Sequence, residues 1–154
     1  MPPRHGPNTL RNYVSTHETI MEQFFREGFV ESDALELVSA GNGVFLMQGV
    51  ISCKGGLVCT VEKLMETVGA PDRDNPRIQT FRYSYNVSVA GMHNLFRYDN
   101  ADHHGHEDSH HRHAFDPVTG AQMPGSPEWI GEARWPTLGE VLREMSDWYW
   151  DHQH

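Results

Sequence analysis

Residues 44–65 read Val44-Phe45-Leu46-Met47-Gln48-Gly49-Val50-Ile51-Ser52-Cys53-Lys54-Gly55-Gly56-Leu57-Val58-Cys59-Thr60-Val61-Glu62-Lys63-Leu64-Met65. Two runs rich in β-branched and aromatic residues flank Gly55-Gly56, the pattern of a β-hairpin. In the second arm Val58, Thr60 and Glu62 share one face, and Leu57, Cys59 and Val61 share the other. Downstream, Ile78 to Val89 predicts a third strand, in which Phe81, Tyr83, Tyr85 and Val87 alternate with polar residues. Ala90 to Asn94 turns the chain, and Leu95 to Asp99 predicts a fourth strand. The short connections suit an antiparallel meander.

Upstream, Leu10 to Gly28 changes to helical spacing. Tyr13, Ile20, Met21, Phe24 and Phe25 form one apolar stripe, and Gly28 supplies a stop. Ser32-Asp33 reads as the cap of a short second helix carrying Leu35, Leu37 and Val38. Residues 1–9 hold three prolines and predict a loose start. At the other end, Thr137 and Glu140 form a capping box for a helix from Leu138 to His152. Its Trp148, Tyr149 and Trp150 exceed one stripe and leave aromatic surface for a partner. The expected fold class is therefore α+β. A four-stranded antiparallel meander carries N-terminal helices and a C-terminal helix, in a single domain over residues 1–154.

The 154 residues suffice for one core without covalent staples. The formal charge of −9 argues against a permanently basic nucleic-acid binder and against docking on an anionic membrane. Cys53 and Cys59 are too few for a disulfide scaffold and form no CxxC pair, so both are expected as reduced strand residues. The N-terminus lacks the apolar core of a signal peptide, and no run approaches the ~18 apolar residues of a spanning helix. A cytoplasmic protein with no membrane attachment is expected.

The segment richest in chemistry is the long polar loop expected over residues 100–131. Six of the 11 histidines fall between His103 and His113. One reading is proton transfer on RNA: histidine serves as acid or base near neutral pH, and a cation must steady the phosphorane. Arg97 or Arg112 could supply that cation, and Tyr83 or Tyr85 could stack a base or donate a proton. Asp99 could orient a histidine by accepting its second ring N–H. A second reading is a divalent transition metal. His104 with His106 and His111 with His113 are suitable pairs, although the spacing matches no metalloenzyme signature. A third is a solvated loop with a compositional bias. Glu62 sits either at the wet end of its strand or aimed at a site.

Glu62, Arg82-Tyr83-Ser84-Tyr85, Phe96-Arg97-Tyr98-Asp99-Asn100-Ala101, His103-His104 and His110-His111-Arg112-His113 together resemble the TumE-like family, the toxins of toxin–antitoxin modules. That family carries an RYDNA-x-HH segment followed by HH-[KR]-H. The resemblance runs from about Val44 to His113. Asp102 stands where relatives carry proline, and Asp108-Ser109 replaces a Phe-Pro, making the loop more acidic. The resemblance implies a toxin acting on RNA, of ribonuclease type, with a small DNA-binding antitoxin as partner and no required cofactor. Carried over residue by residue, the family's polar positions fall on Glu62, Tyr83, Tyr85, Arg97, Asp99, Asn100, His103, His104, His110, His111 and His113. The rival expectation is a non-catalytic protein whose histidines bind a metal or a partner, including another copy of the chain.

Overall fold

The computed structural model describes residues 4–69, 74–101 and 109–152. The hairpin forms where its glycines require it. Strands β4 (Val44–Cys53) and β5 (Leu57–Thr67) pair from Val44↔Glu66 to Ser52↔Val58. The turn places Gly55 and Gly56 at φ 72° and 76°. A Cβ on Gly55 would also sit 2.5 Å from the Tyr149 ring, so the turn admits no side chain there.

β6 (Arg77–Val89) and β7 (Asn94–Asp99) continue the meander, and every strand pairing is antiparallel. The expected count of four strands is too low. The described residues form a nine-stranded sheet in the order β2 (Val30–Asp33), β4, β5, β6, β7, β8 (His111–Ala114), β9 (Glu128–Trp129), with β1 (Asn8–Thr9) added to β6 and β3 (Glu36–Gly41) to β4. β8 (His111–Ala114) and β9 (Glu128–Trp129) lie inside the segment expected as loop. β1 (Asn8–Thr9) lies in the stretch expected to be loose, where Asn8 pairs with Ile78 and the His5 carbonyl accepts from Thr80 N–H at 2.9 Å.

The expected second N-terminal helix does not form. That segment is β2 (Val30–Asp33) and β3 (Glu36–Gly41), both paired with β4. Leu35 and Leu37 pack together against the cluster of Met47, Met65 and Ile78. A spacing of two brings side chains to one face only in extended chain. The corner at Ala34 passes over Gly49, where a Cβ would lie 2.3 Å from the Ala34 carbonyl oxygen.

Helix α1 (Leu10–Arg26) begins at Thr9, whose side chain accepts from Asn12 N–H, and ends before Gly28 at φ 76°. Helix α2 (Leu138–Asp151) has both halves of its capping box, Thr137 and Glu140. Both helices cover the same face of the sheet. Met21 and Phe24 of α1 and Val141, Leu142 and Met145 of α2 share one core with Ile51, Val61, Tyr85, Val87 and Phe96. Cys53 and Cys59 are buried and unbridged, as expected. Trp148 and Tyr149 pack against this core, while Trp150 is exposed. Among the described residues no helix is long and apolar enough to cross a membrane.

Candidate active site on the far face of the sheet

The strand register sorts the expected site residues by face, because paired residues point the same way and alternate residues point oppositely. One row runs Gln48–Glu62–Ser84–Asp99–His111–Trp129 across β4 to β9. Its neighbour runs Thr60–Asn86–Arg97–His113. Both lie on the face away from the helices. The intervening row, Val61–Tyr85–Tyr98–Arg112, faces the helices, as does the pair Lys63–Tyr83.

On the far face, Asp99 is the hub. Its Oδ2 accepts from Arg97 Nε at 2.9 Å. Its Oδ1 accepts from the Ala101 amide at 3.0 Å and lies 2.9 Å from His111 Nε2. Asp99, His111 and His113 are buried, at 6%, 0% and 8% exposure. One ring nitrogen of each histidine and one Asp99 oxygen lie within 4.8 Å of one another.

Outer partners set the state of each ring. His111 Nδ1 lies 2.9 Å from the Ser109 carbonyl, which only accepts, so Nδ1 carries a proton. Its Nε2 then faces the Asp99 carboxylate. His113 Nδ1 donates to Gln122 Oε1 at 2.6 Å, which leaves the lone pair on Nε2. Gln122 is held by Ser126, whose hydroxyl donates to the same oxygen at 3.0 Å and accepts from Ala114 N–H. The two imidazoles meet edge to face, with centroids 4.8 Å apart. Ser109, Gln122 and Trp129 carry no sequence motif; only the β7–β8–β9 register brings them to the histidines.

The remaining candidates fall elsewhere. Glu62 shares the Asp99 row two strands away and is exposed. Asn100 works on backbone: its Oδ1 accepts from Tyr83 N–H and its Nδ2 donates to the Phe81 carbonyl, splinting the end of the β6–β7 ladder. Tyr83 and Tyr85 are buried under the helices, and burial pushes the Tyr85 phenol up to about 12. Tyr83 Oη lies 3.1 Å from His110 Nδ1, and both rings stack on Trp135. His110 therefore belongs to the helix side, opposite its neighbour His111. Arg112 lies over Phe96 and donates to Glu144 Oε2 at 2.7 Å. Tyr98 donates to Glu144 Oε1 at 2.6 Å; burial and that carboxylate push its phenol upward. His103, His104 and His106 lie outside the described residues.

A family model described as Toxin TumE matches residues 55–149, more than half of the chain. The match spans β5 to β9 and most of α2. No curated protein and no solved structure matches the chain.

Proposed function

Because this chain belongs to the TumE toxin family, we propose that it is the toxin of a toxin–antitoxin module and that it cleaves RNA at the Asp99–His111–His113 cluster. The observation that carries this reading is His113, a histidine whose lone pair is directed to Nε2 by Gln122, beside a carboxylate–imidazole pair. His113 Nε2 is closed off from solvent in this structure, so on this reading the cluster opens before that nitrogen takes the proton from a ribose 2′-hydroxyl as the oxygen attacks phosphorus. A second histidine returns a proton to the departing 5′ oxygen; His103 and His104 are the candidates for that role from the sequence pattern, since His110 lies on the opposite face of the sheet. Arg97, partly exposed beside Asp99, steadies the phosphorane. Asp99 and His111 are positioning residues: they hold Arg97 and fix the edge against which His113 packs. Tyr83 and His110 pack with Trp135 on the helix side, and Asn100 holds the strand end. Glu62, Tyr85 and Arg112 take no direct part.

Induced expression tests this. The wild type is expected to arrest growth and cleave RNA, and a His113→Ala variant of verified folding is expected to lose about 100-fold or more in cleavage rate. Cleavage at the wild-type rate by His113→Ala would overturn the assignment.

A second reading rests on the same cluster. Two imidazole nitrogens and a carboxylate oxygen within 4.8 Å, each ring braced through its other nitrogen, suit a divalent transition metal. Asp99, His111 and His113 would hold it, and it would polarise a phosphoryl oxygen or activate water. Stoichiometric metal in untagged protein, lost in a His111→Ala/His113→Ala variant, would favour this reading over metal-free proton transfer.

A further inference from the structure

We propose that this protein carries a second ligand site, for a small organic anion with an apolar body, in the cavity between α1, β5–β6 and the start of α2, with the Lys63 ammonium as its anchor. The cavity measures about 240 Å³. It lies on the helix side of the sheet, and its α1 and N-terminal walls come from residues before the family match begins at residue 55. The inference is independent of the toxin reading.

Lys63 is the unusual residue. It sits mid-strand on β5 opposite Tyr83, at 7% exposure, and lines the cavity. Its Nζ lies 4.9 Å from the centre of the Tyr13 ring, and the nearby polar groups are the phenols of Tyr85 and Tyr13. An ammonium taken out of water is costly unless an opposite charge accompanies it. None does. The other cations of the lining are already matched, Arg4 by Glu140 and His17 by Asp33. His5 is held down to about 4 by burial, so it is neutral at pH 7 and adds no competing charge. Among the described residues the lining contains no aspartate or glutamate.

The rest of the lining describes the ligand. Ile20, Met65, Ile78 and Leu138 offer an apolar wall. Thr137 and Gly139 bring the first turn of α2, whose positive end favours an anion. The volume exceeds the ~150 Å³ of cavities known to hold benzene. A ring or short chain bearing one carboxylate or phosphate fits this lining.

Three probes of similar shape test the site by titration calorimetry on the full chain: benzoate, phenyl phosphate and the neutral benzamide. Both anions are expected to bind saturably and at least tenfold more tightly than benzamide. Whichever anion binds more tightly assigns the head group. Lys63→Met is expected to erase the preference for charge. Thr16→Trp, at the exposed rim of α1, is expected to block all three and serves if the Lys63 variant fails to fold. Absence of saturable binding, benzamide binding as tightly as benzoate, or undiminished binding in Thr16→Trp would each overturn the proposal.

Discussion

Buried Asp99 accepts from an amide and a guanidinium and lies 2.9 Å from the His111 ring. Removing it leaves the Arg97 guanidinium without its anion and the His111 ring without its neighbour. Asp99→Ala is therefore expected to destabilise the fold by about 3–5 kcal/mol in denaturant unfolding, the range for breaking a buried ion pair from one side. Asp99→Asn, which keeps an acceptor for the Ala101 amide, is expected to cost less; equal losses would show that charge plays no part. His5 supplies a prediction of the opposite kind. Burial against Trp135 lowers it from an ordinary value near 6.5 to about 4. Between those values the unfolded chain binds more protons than the folded one, so stability falls as pH drops from 6.5 towards 4. His5→Gln is expected to make that fall shallower in thermal melts across the window. The sequence raised Asp99 as a residue that could orient a histidine, without saying which one. That His111 is the histidine beside it follows only from the β7–β8 register. Gln122, which directs His113, has no sequence signal, because a lone glutamine between turn residues is indistinguishable from solvent-facing composition.

Elements were legible where one period dominates. The β4–β5 hairpin, β6, β7, α1 and α2 are all evident in alternation, helical spacing and caps. Leu35, Leu37 and Val38 were not, because three apolar residues within four positions suit either period. Pairing with β4 decided the matter, and Gly49 lets that pairing happen. Gly49→Ala forces a side chain onto the Ala34 carbonyl at φ 144° and is expected to cost more than about 1 kcal/mol, unlike a Gly→Ala change at a tolerant site. An unchanged denaturation midpoint would show that the crossing can relax. β8 and β9 escaped the sequence for a different reason. β8 is only four residues with histidine at its two buried positions, and β9 is only Glu128-Trp129, so neither shows an apolar alternation long enough to read. They are built from outside, by the edge that β7 offers.

At the scale of the whole molecule, the family match and the folding unit have different extents. The match begins at residue 55, yet β5 has β4 as its neighbour on one side, paired over nearly its whole length. The core likewise crosses the boundary. Met21, Phe24, Phe29 and Ile51 pack with Leu142 and Met145, and Arg143 of α2 reaches back over the Phe24 ring and onto Glu27. A chain shortened to begin at Gly55 would expose an eleven-residue strand edge and one side of the main core. The site's own strands, β7 and β8, would be intact in sequence but would rest on a sheet missing its other half. The full chain is therefore expected to unfold in one transition, with far-ultraviolet circular dichroism and tryptophan fluorescence coincident. The shortened chain is expected to show no cooperative transition. A cooperative melt of the shortened chain within a few degrees of the full one would mean that the residues before Gly55 are an addition to the toxin fold. Its absence would make them part of that fold, so that any activity at Asp99 and His113 depends on α1 and β4 through packing alone.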